Sequence, residues 1–350
     1  MPRPGPRLRL VDVAERAGVS LATASRALAG REGVSEEVAR HVRQVSRELG
    51  YVANPYARTL AGGASSTVGL IVHQIDDPYF SEIASGVLQV AAEEGLLVQI
   101  AHSGRDPENE LRQLRHLIAQ QVGIILIAGS GYDDPRVEAE ARAELAGFQR
   151  SGGRVAVIGR HALGVDAVVP DNEAGGRAIG AHLLALGHRW IAVAAGTPGL
   201  TTVADRLAGV TAVLAAHGHS PDDLAVVHSD FTRDGGRVAT ERILHYHPES
   251  TAIIALNDAM AIGVLSVLRS RRIPVPERVS VVGFDDVSVA ADLAPSLTTV
   301  RLPMTEMGRM ALTLALKPRS TRPRRRSTGH TLVVRDSTGP APAPGGRPAH

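Results

Sequence analysis

Five polar residues stand just beyond apolar runs: Asp76 and Asp77 after VGLIV, Arg160 after RVAVIG, Asn257 after TAIIAL and Asp285 after VSVVGF. Runs of this length read as buried parallel strands, and ligands of parallel α/β sheets sit beyond the carboxyl ends of the strands. Carboxylates accept protons from hydroxyls, while guanidinium and amide groups donate, which suits a polyhydroxylated ligand. Tyr79, Phe80 and Phe231 could stack on its apolar face, a placement with weight in a chain only 3% aromatic. Arg206 opens the helical run RLAGVTAVL and reaches toward the same place. A plainer reading has Tyr79 and Phe80 packing a helix start, and Asp285 and Asn257 capping helices. Catalytic signals are poor: there is no phosphate-binding loop, nucleophile elbow or zinc-protease motif, and Gly129 and Gly131 lack a third glycine. The histidines of HGHSP (217–221) and HYH (245–247) read as solvated helix ends, so no metal, cofactor or catalytic residue is expected.

A second constellation lies in DVAERAGVSLATASRALAG, residues 12–30. Gly18 supplies the positive φ of a tight turn between two short helices, and Ser20 caps the second. In a helix-turn-helix the second helix enters the major groove with its first turn at the base edges. Small Ala14, Ala17 and Ala24 let the helices approach, and Val13, Val19 and Leu28 face a third helix starting after Ser35, with Val38, Val42, Val45 and Leu49 at helical spacing. Ser20, Leu21, Ala22, Thr23, Ser25 and Arg26 are the residues left for phosphate and base contacts. A short fourth helix begins at Asn54-Pro55 and stops at the Gly-rich stretch from 62, a linker of marginal stability alone.

From Val68 apolar strands start at 68, 96, 123, 154, 166, 190, 224, 251, 279, 298 and 331. Helical stretches alternate with them, at roughly 80–94, 108–121, 173–186, 203–217, 233–245, 258–271 and 303–316. This predicts two parallel sheets covered by helices on both faces, in two lobes between which the chain crosses near 165 and again near 298. KPRSTRPRRRS, from 317, reads as an exposed loop, and 339–350 as a disordered tail.

Taken together, LVDVAERAGVSLATASRALAG, GYVANPYARTLAGG, DPYFSEIASGV, DNEAGGRAIGAHLLALGHRWIAVAAG, NDAMAIGVL, VSVVGFDDV and LTTVRLPMTEMGRMA resemble, in this order and over nearly the whole chain, the LacI/GalR family of bacterial transcription repressors. The resemblance implies an all-α helix-turn-helix head (1–53), a hinge (54–63) and a two-lobed α/β effector domain like the periplasmic binding proteins (64–338). Lobe 1 would comprise about 64–165 and 299–320, and lobe 2 about 166–298 and 328–338. It implies a homodimer on a near-palindromic operator, with a small molecule, first of all a sugar, between the lobes. Asn54, Ala57 and Leu60 are then the hinge positions at the DNA, Leu60 matching a leucine that wedges between base pairs of the minor groove. Tyr79, Phe80, Arg206, Phe231, Asn257 and Asp285 match effector contacts, and Asp76 and Arg160 complete the expected set. The chain departs from the family at Ala61 and Gly63, where basic residues are common, at Leu21 and Ala22, where polar base readers often stand, and at Gly159, where many sugar-responsive members carry Asp.

Composition agrees with this division. The formal net charge is +2, but 1–62 and 317–350 are basic while the middle is acidic, a distribution suited to an anionic partner at one end. The chain has no cysteine, no apolar run near the roughly 20 residues that span a bilayer and no secretion signal, so a cytoplasmic protein without membrane partner is expected. The competing readings are a two-lobed solute-binding protein, which the helix-turn-helix disfavours, and a sugar-acting enzyme, which would need an acid/base pair.

Overall fold

The computed structural model describes residues 8–30, 32–51, 65–219 and 224–343, in two compact units that divide between Ser66 and Thr67. The first unit holds α1 (Leu10–Arg16), α2 (Leu21–Ala29) and α3 (Glu36–Glu48). Gly18 turns the chain at φ 65°, and the Ser20 hydroxyl accepts the Thr23 N–H at 3.1 Å, capping α2. Ser35 does the same for α3 through the Val38 N–H. Val13, Ala14, Ala17, Ala24, Ala27, Ala39, Val42 and Val45 form one buried core, with Val19, Leu28, Val38 and Leu49 packed at its margin. Asn54, Ala57 and Leu60 lie outside the described residues.

The second unit has two lobes. Lobe 1 runs β1 (Thr67–Val72), α4 (Pro78–Glu93), β2 (Leu97–His102), α5 (Pro107–Ala119), β3 (Ile124–Ala128), α6 (Pro135–Arg150), β4 (Arg154–Ile158) and β5 (Asp166–Val169), and later regains the chain for α11 (Met304–Leu316) and β11 (Arg325–Ser327). Its six strands are parallel in the order β11-β5-β4-β3-β1-β2. Lobe 2 runs α7 (Asn172–Ala185), β6 (Ile191–Ala195), α8 (Thr201–Ala216), β7 (Ala225–His228), α9 (Arg233–Tyr246), β8 (Ala252–Ala255), α10 (Asp258–Ser270) and β9 (Ser280–Val282), its strands parallel in the order β7-β6-β8-β9. A short 3-10 helix (Ser288–Ala291) and a small antiparallel pair, β10 (Thr299–Arg301) with β12 (Thr331–Val333), complete the elements of the described residues.

Four details differ from the sequence reading. The first crossing comes after Val169 rather than near 165, because β5 pairs with β4 in the lobe 1 sheet, Val157 opposite Ala167. The strand at 298 belongs with lobe 2 and β12 rather than lobe 1, since Thr298 and Arg301 bridge to Val282 and Asp285. Part of the arginine-rich stretch is an edge strand instead of a loop: Arg325–Ser327 pairs with Ala167–Val169, and Arg324 is anchored on the Asp166 carboxylate at 3.0 Å. Residues 339–343 are ordered, the Ala341 N–H bonding the Leu186 carbonyl at 2.8 Å and the Gly339 carbonyl accepting from His188 at 3.0 Å. Low apolar content did not predict this because these contacts run through the backbone. α6 was also unforeseen, its buried Val137, Leu145 and Phe148 standing among charged residues.

Three helix pairs meet through glycines facing each other's backbone. A Cβ on Gly86 of α4 would collide with the Thr305 carbonyl of α11, and one on Gly308 with the Ile83 carbonyl; Gly176 and Gly209 join α7 to α8 likewise, and Gly236 and Gly263 join α9 to α10. Gly308→Val should therefore destabilise the body by at least about 1–3 kcal/mol, read in denaturant unfolding. By contrast Gly147→Ala, where the added carbon meets only the tip of Arg150 at 3.7 Å, should be neutral or stabilising by up to about 1 kcal/mol, since alanine is the better helix former.

Candidate functional site

In the head, the core consumes one face of α2 and leaves Leu21, Ala22 and Arg26 exposed, Leu21 by 52%. Ser20 is also exposed, while Thr23 and Ser25 are half-buried. The Ser20 and Thr23 hydroxyls bond each other at 2.8 Å, so the cap orders the first turn that presents these residues. The face of α2 turned away from the three-helix core thus carries Leu21, Ala22 and Arg26.

In the body, the strand ends converge on a cleft between the lobes. Arg206 of α8 is its most constrained member, 2% exposed. Its guanidinium donates to Asn172 Oδ1 (2.9 Å), the Leu256 carbonyl (2.6 Å) and Asp285 Oδ1 (2.7 Å), and lies 3.7 Å over the Phe284 ring. Asp285 holds φ at 119°, a region foreign to ordinary residues, which turns its carboxylate toward the arginine. Burial pushes the Asp285 carboxyl up to about 7 against the pull of Arg206, and the neighbouring Asp77 carboxylate adds to the rise. Behind it the Asp258 carboxyl is likewise raised well above the usual carboxylate range, chiefly by burial, and accepts from the Thr299 hydroxyl (2.7 Å) and Val287 N–H (2.9 Å).

Lobe 1 faces this cluster with Tyr79, Phe80, His73, Asp77, Arg105 and Ser130, and lobe 2 adds Thr202, Phe231 and Asn257. The Tyr79 and Phe80 rings stand edge to face, 5.0 Å apart. Asn257 is engaged as the cap of α10, accepting the Met260 N–H at 2.8 Å, while its amide points back to the Phe231 carbonyl. The lobes are drawn together. The Thr201 hydroxyl donates to the Arg160 carbonyl (2.9 Å) and accepts the Gly131 N–H (3.0 Å), the Ser130 hydroxyl accepts the Thr202 N–H (2.9 Å), and Arg160 binds Asp205 at 2.7 Å. A free volume of only about 30 Å³ remains between them, so any ligand larger than water enters as the lobes part.

The structure thus brings together Tyr79, Phe80, Arg206, Phe231, Asn257 and Asp285. Two expected residues do not line the cleft. Asp76 is exposed, and its neighbour Asp77 turns inward as the cap of α4. Arg160 stands half-exposed at the rim, where it ties lobe 1 to Asp205 of lobe 2. His73, Arg105 and Ser130 were missed, although Arg105 follows the end of β2 as the other candidates follow their strands. A larger groove of about 870 Å³ lies where α9 and α10 end, but its Arg271 is spent on Glu241 and its Arg278 on the Pro248 and Ser250 carbonyls.

Known proteins resemble both parts of the chain. Residues 9–54 match the model of the bacterial regulatory proteins of the lacI family, and 181–338 that of a periplasmic binding protein-like domain. The HTH-type transcriptional regulator CelR of Thermobifida fusca is 34% identical over 338 residues, covering 93% of this chain and 96% of its own. Among solved structures, a CelR-cellobiose complex aligns with TM-score 0.69 and 31% identity over 95% of this chain and 100% of the other. The Lac repressor dimer bound to operator and an anti-inducer aligns with TM-score 0.77 and 25% identity, again over 95% and 100%.

Two measurements probe these sites. Ser20→Ala frees the Thr23 N–H and should cost α2 about 1 kcal/mol, seen as faster amide exchange across α2 with the thermal unfolding of the body unchanged; unaltered exchange would refute the cap. Asp285 titrates near about 4 in an unfolded chain and at about 7 in the fold. Its contribution is complete below the lower value and lost as pH rises through the upper one. Asp285→Asn should therefore flatten the decline of the unfolding midpoint between about pH 5 and 8.

Proposed function

Since the chain belongs to the lacI family of bacterial regulatory proteins, it is a DNA-binding transcriptional repressor, and we propose that a carbohydrate held between the lobes controls it. The single observation that carries the ligand reading is the cleft itself, with aromatic rings from both lobes around carboxylates and guanidinium groups paired within the protein. Tyr79, Phe80, Arg206, Phe231, Asn257 and Asp285 are the residues proposed to enclose the sugar. The CelR-cellobiose complex, of the same fold, supports a sugar rather than another small molecule.

On the DNA side, Ser20, Leu21, Ala22, Thr23, Ser25 and Arg26 lie in the operator's major groove, with Asn54, Ala57 and Leu60 at the minor groove between half-sites. The repressor works as a homodimer, one head per half-site. Leu88 on α4 and Leu97 and Ile100 on the edge strand β2 are exposed apolar side chains that a second copy would cover. The protein works in the cytoplasm and releases its ligand unchanged, as a regulator rather than an enzyme. No helix among the described residues is long and apolar enough to cross a membrane.

Control requires that the sugar bind the DNA-competent and DNA-incompetent arrangements with different affinity. Operator selected from a random DNA pool should be near-palindromic. Its affinity in fluorescence anisotropy should shift by roughly 5- to 150-fold with one member of a panel including cellobiose, ribose and galactose. Only weak, steeply salt-dependent binding without sequence preference would overturn the repressor reading, and a sequence-specific operator indifferent to every sugar would overturn the ligand reading.

A further inference from the structure

Arg105 reaches the cleft from an exposed loop, and nothing so far described accounts for it. It follows Gly104, and the two adopt left-handed φ values of 69° and 58° in succession, turning the loop between β2 and α5 so that the side chain runs inward. A loop arginine ordinarily extends into water; this side chain is 9% exposed. One of its N–H groups donates to Asp77 Oδ2 at 3.1 Å. The other Asp77 oxygen accepts the Tyr79 N–H, which fixes the carboxylate at the head of α4. The guanidinium carbon lies 5.8 Å from the centre of the Phe80 ring in lobe 1 and 5.6 Å from that of Phe231 in lobe 2. Among the described residues no second acceptor takes its remaining N–H groups.

Arg206 is different. Each of its three nitrogens already has a protein acceptor, in Asn172, Leu256 or Asp285, so it organises lobe 2. Arg105 keeps donors free while its guanidinium lies between the Phe80 and Phe231 rings at the cleft. Both arginines are matched, Arg105 by Asp77 and Arg206 by Asp285, so the cleft presents two compensated pairs. A ligand phosphate or carboxylate would be set against the Asp77 and Asp285 carboxyls that already partner the two cations. A hydroxyl fits both members of each pair, donating to the aspartate and accepting from the arginine. Burial raises Asp77 and lowers Arg105, the signature of a site where uncompensated charge is costly.

Resting on the reading that the cleft holds the effector, we propose that Arg105 is its specificity-determining residue in lobe 1. Positioned by Asp77, it donates to the oxygens of a neutral, uncharged sugar and excludes sugar phosphates and sugar acids. Because it also touches Phe231, the same side chain registers closure of lobe 2 upon the ligand.

Calorimetric titration tests this with the full-length protein and its Arg105→Ala and Arg105→Lys variants. The probes are cellobiose, glucose, ribose and galactose, beside glucose 6-phosphate and glucuronate. The wild type should bind a neutral sugar and not the charged ones. Arg105→Ala should weaken that binding by on the order of tenfold or more, titrated below the variant's own unfolding temperature because it also leaves Asp77 without its cation, and Arg105→Lys, which keeps a cation beside Asp77, should recover only part, lacking the planar fork. Neutral-sugar binding that ignores Arg105→Ala, or wild-type preference for the phosphate or the acid, overturns this inference alone. Failure of the wild type to bind any probe overturns the effector reading along with it.

Discussion

The buried guanidinium of Arg206 is the constraint on which the cleft depends. A cation 2% exposed is tolerable only if its donors are matched, and the three acceptors come from separate segments: Asn172 at the start of α7, Leu256 after β8 and Asp285 after β9. Their positions are therefore fixed relative to α8 and to one another. Asn257 follows Leu256 directly, and its amide holds the Phe231 carbonyl, so the edge of lobe 2 that lines the cleft is assembled around one charge. The unusual backbone of Asp285 is maintained by the same contact, helped by Leu302, whose N–H bonds the Asp285 carbonyl.

Lobe 1 meets this fixed edge through smaller contacts. Gly131 and Thr201 exchange a pair of hydrogen bonds, the Asp133 N–H bonds the Gly199 carbonyl, Ser130 meets Thr202, and Arg160 and Asp205 pair at a partly exposed rim, where such pairs contribute at most about 1 kcal/mol. An interface of this kind can part and re-form without disturbing either core. That is the property a ligand-controlled switch needs: two arrangements separated by a few kcal/mol, one of which a ligand prefers. The chain enters lobe 1 at Thr67, at the start of β1 in the interior of the sheet.

Much of this was legible because the physics was local. Eleven strands were readable as apolar runs, and Ser20, Ser35 and Gly18 mark their helices by capping and turn chemistry. The rule that ligands lie past strand ends located Asn257 and Asp285. It failed between Asp76 and Asp77, adjacent carboxylates of which only the second reaches inward, because the choice depends on which one caps α4. β11 was invisible since an edge strand with exposed side chains has no hydrophobic signature. Arg160 looked like a ligand residue and serves as a tie, since its partner Asp205 is a long-range neighbour that no local pattern reveals.

The central claim is that one equilibrium between lobe arrangements couples the cleft to DNA, and thermodynamic reciprocity tests it directly. The sugar that shifts operator affinity should be titrated against free protein and against the preformed operator complex. The account predicts that its affinity differs between the two by the same factor by which it changes operator affinity. Equal sugar affinities in the two states, alongside a sugar-dependent change in operator binding, would contradict it.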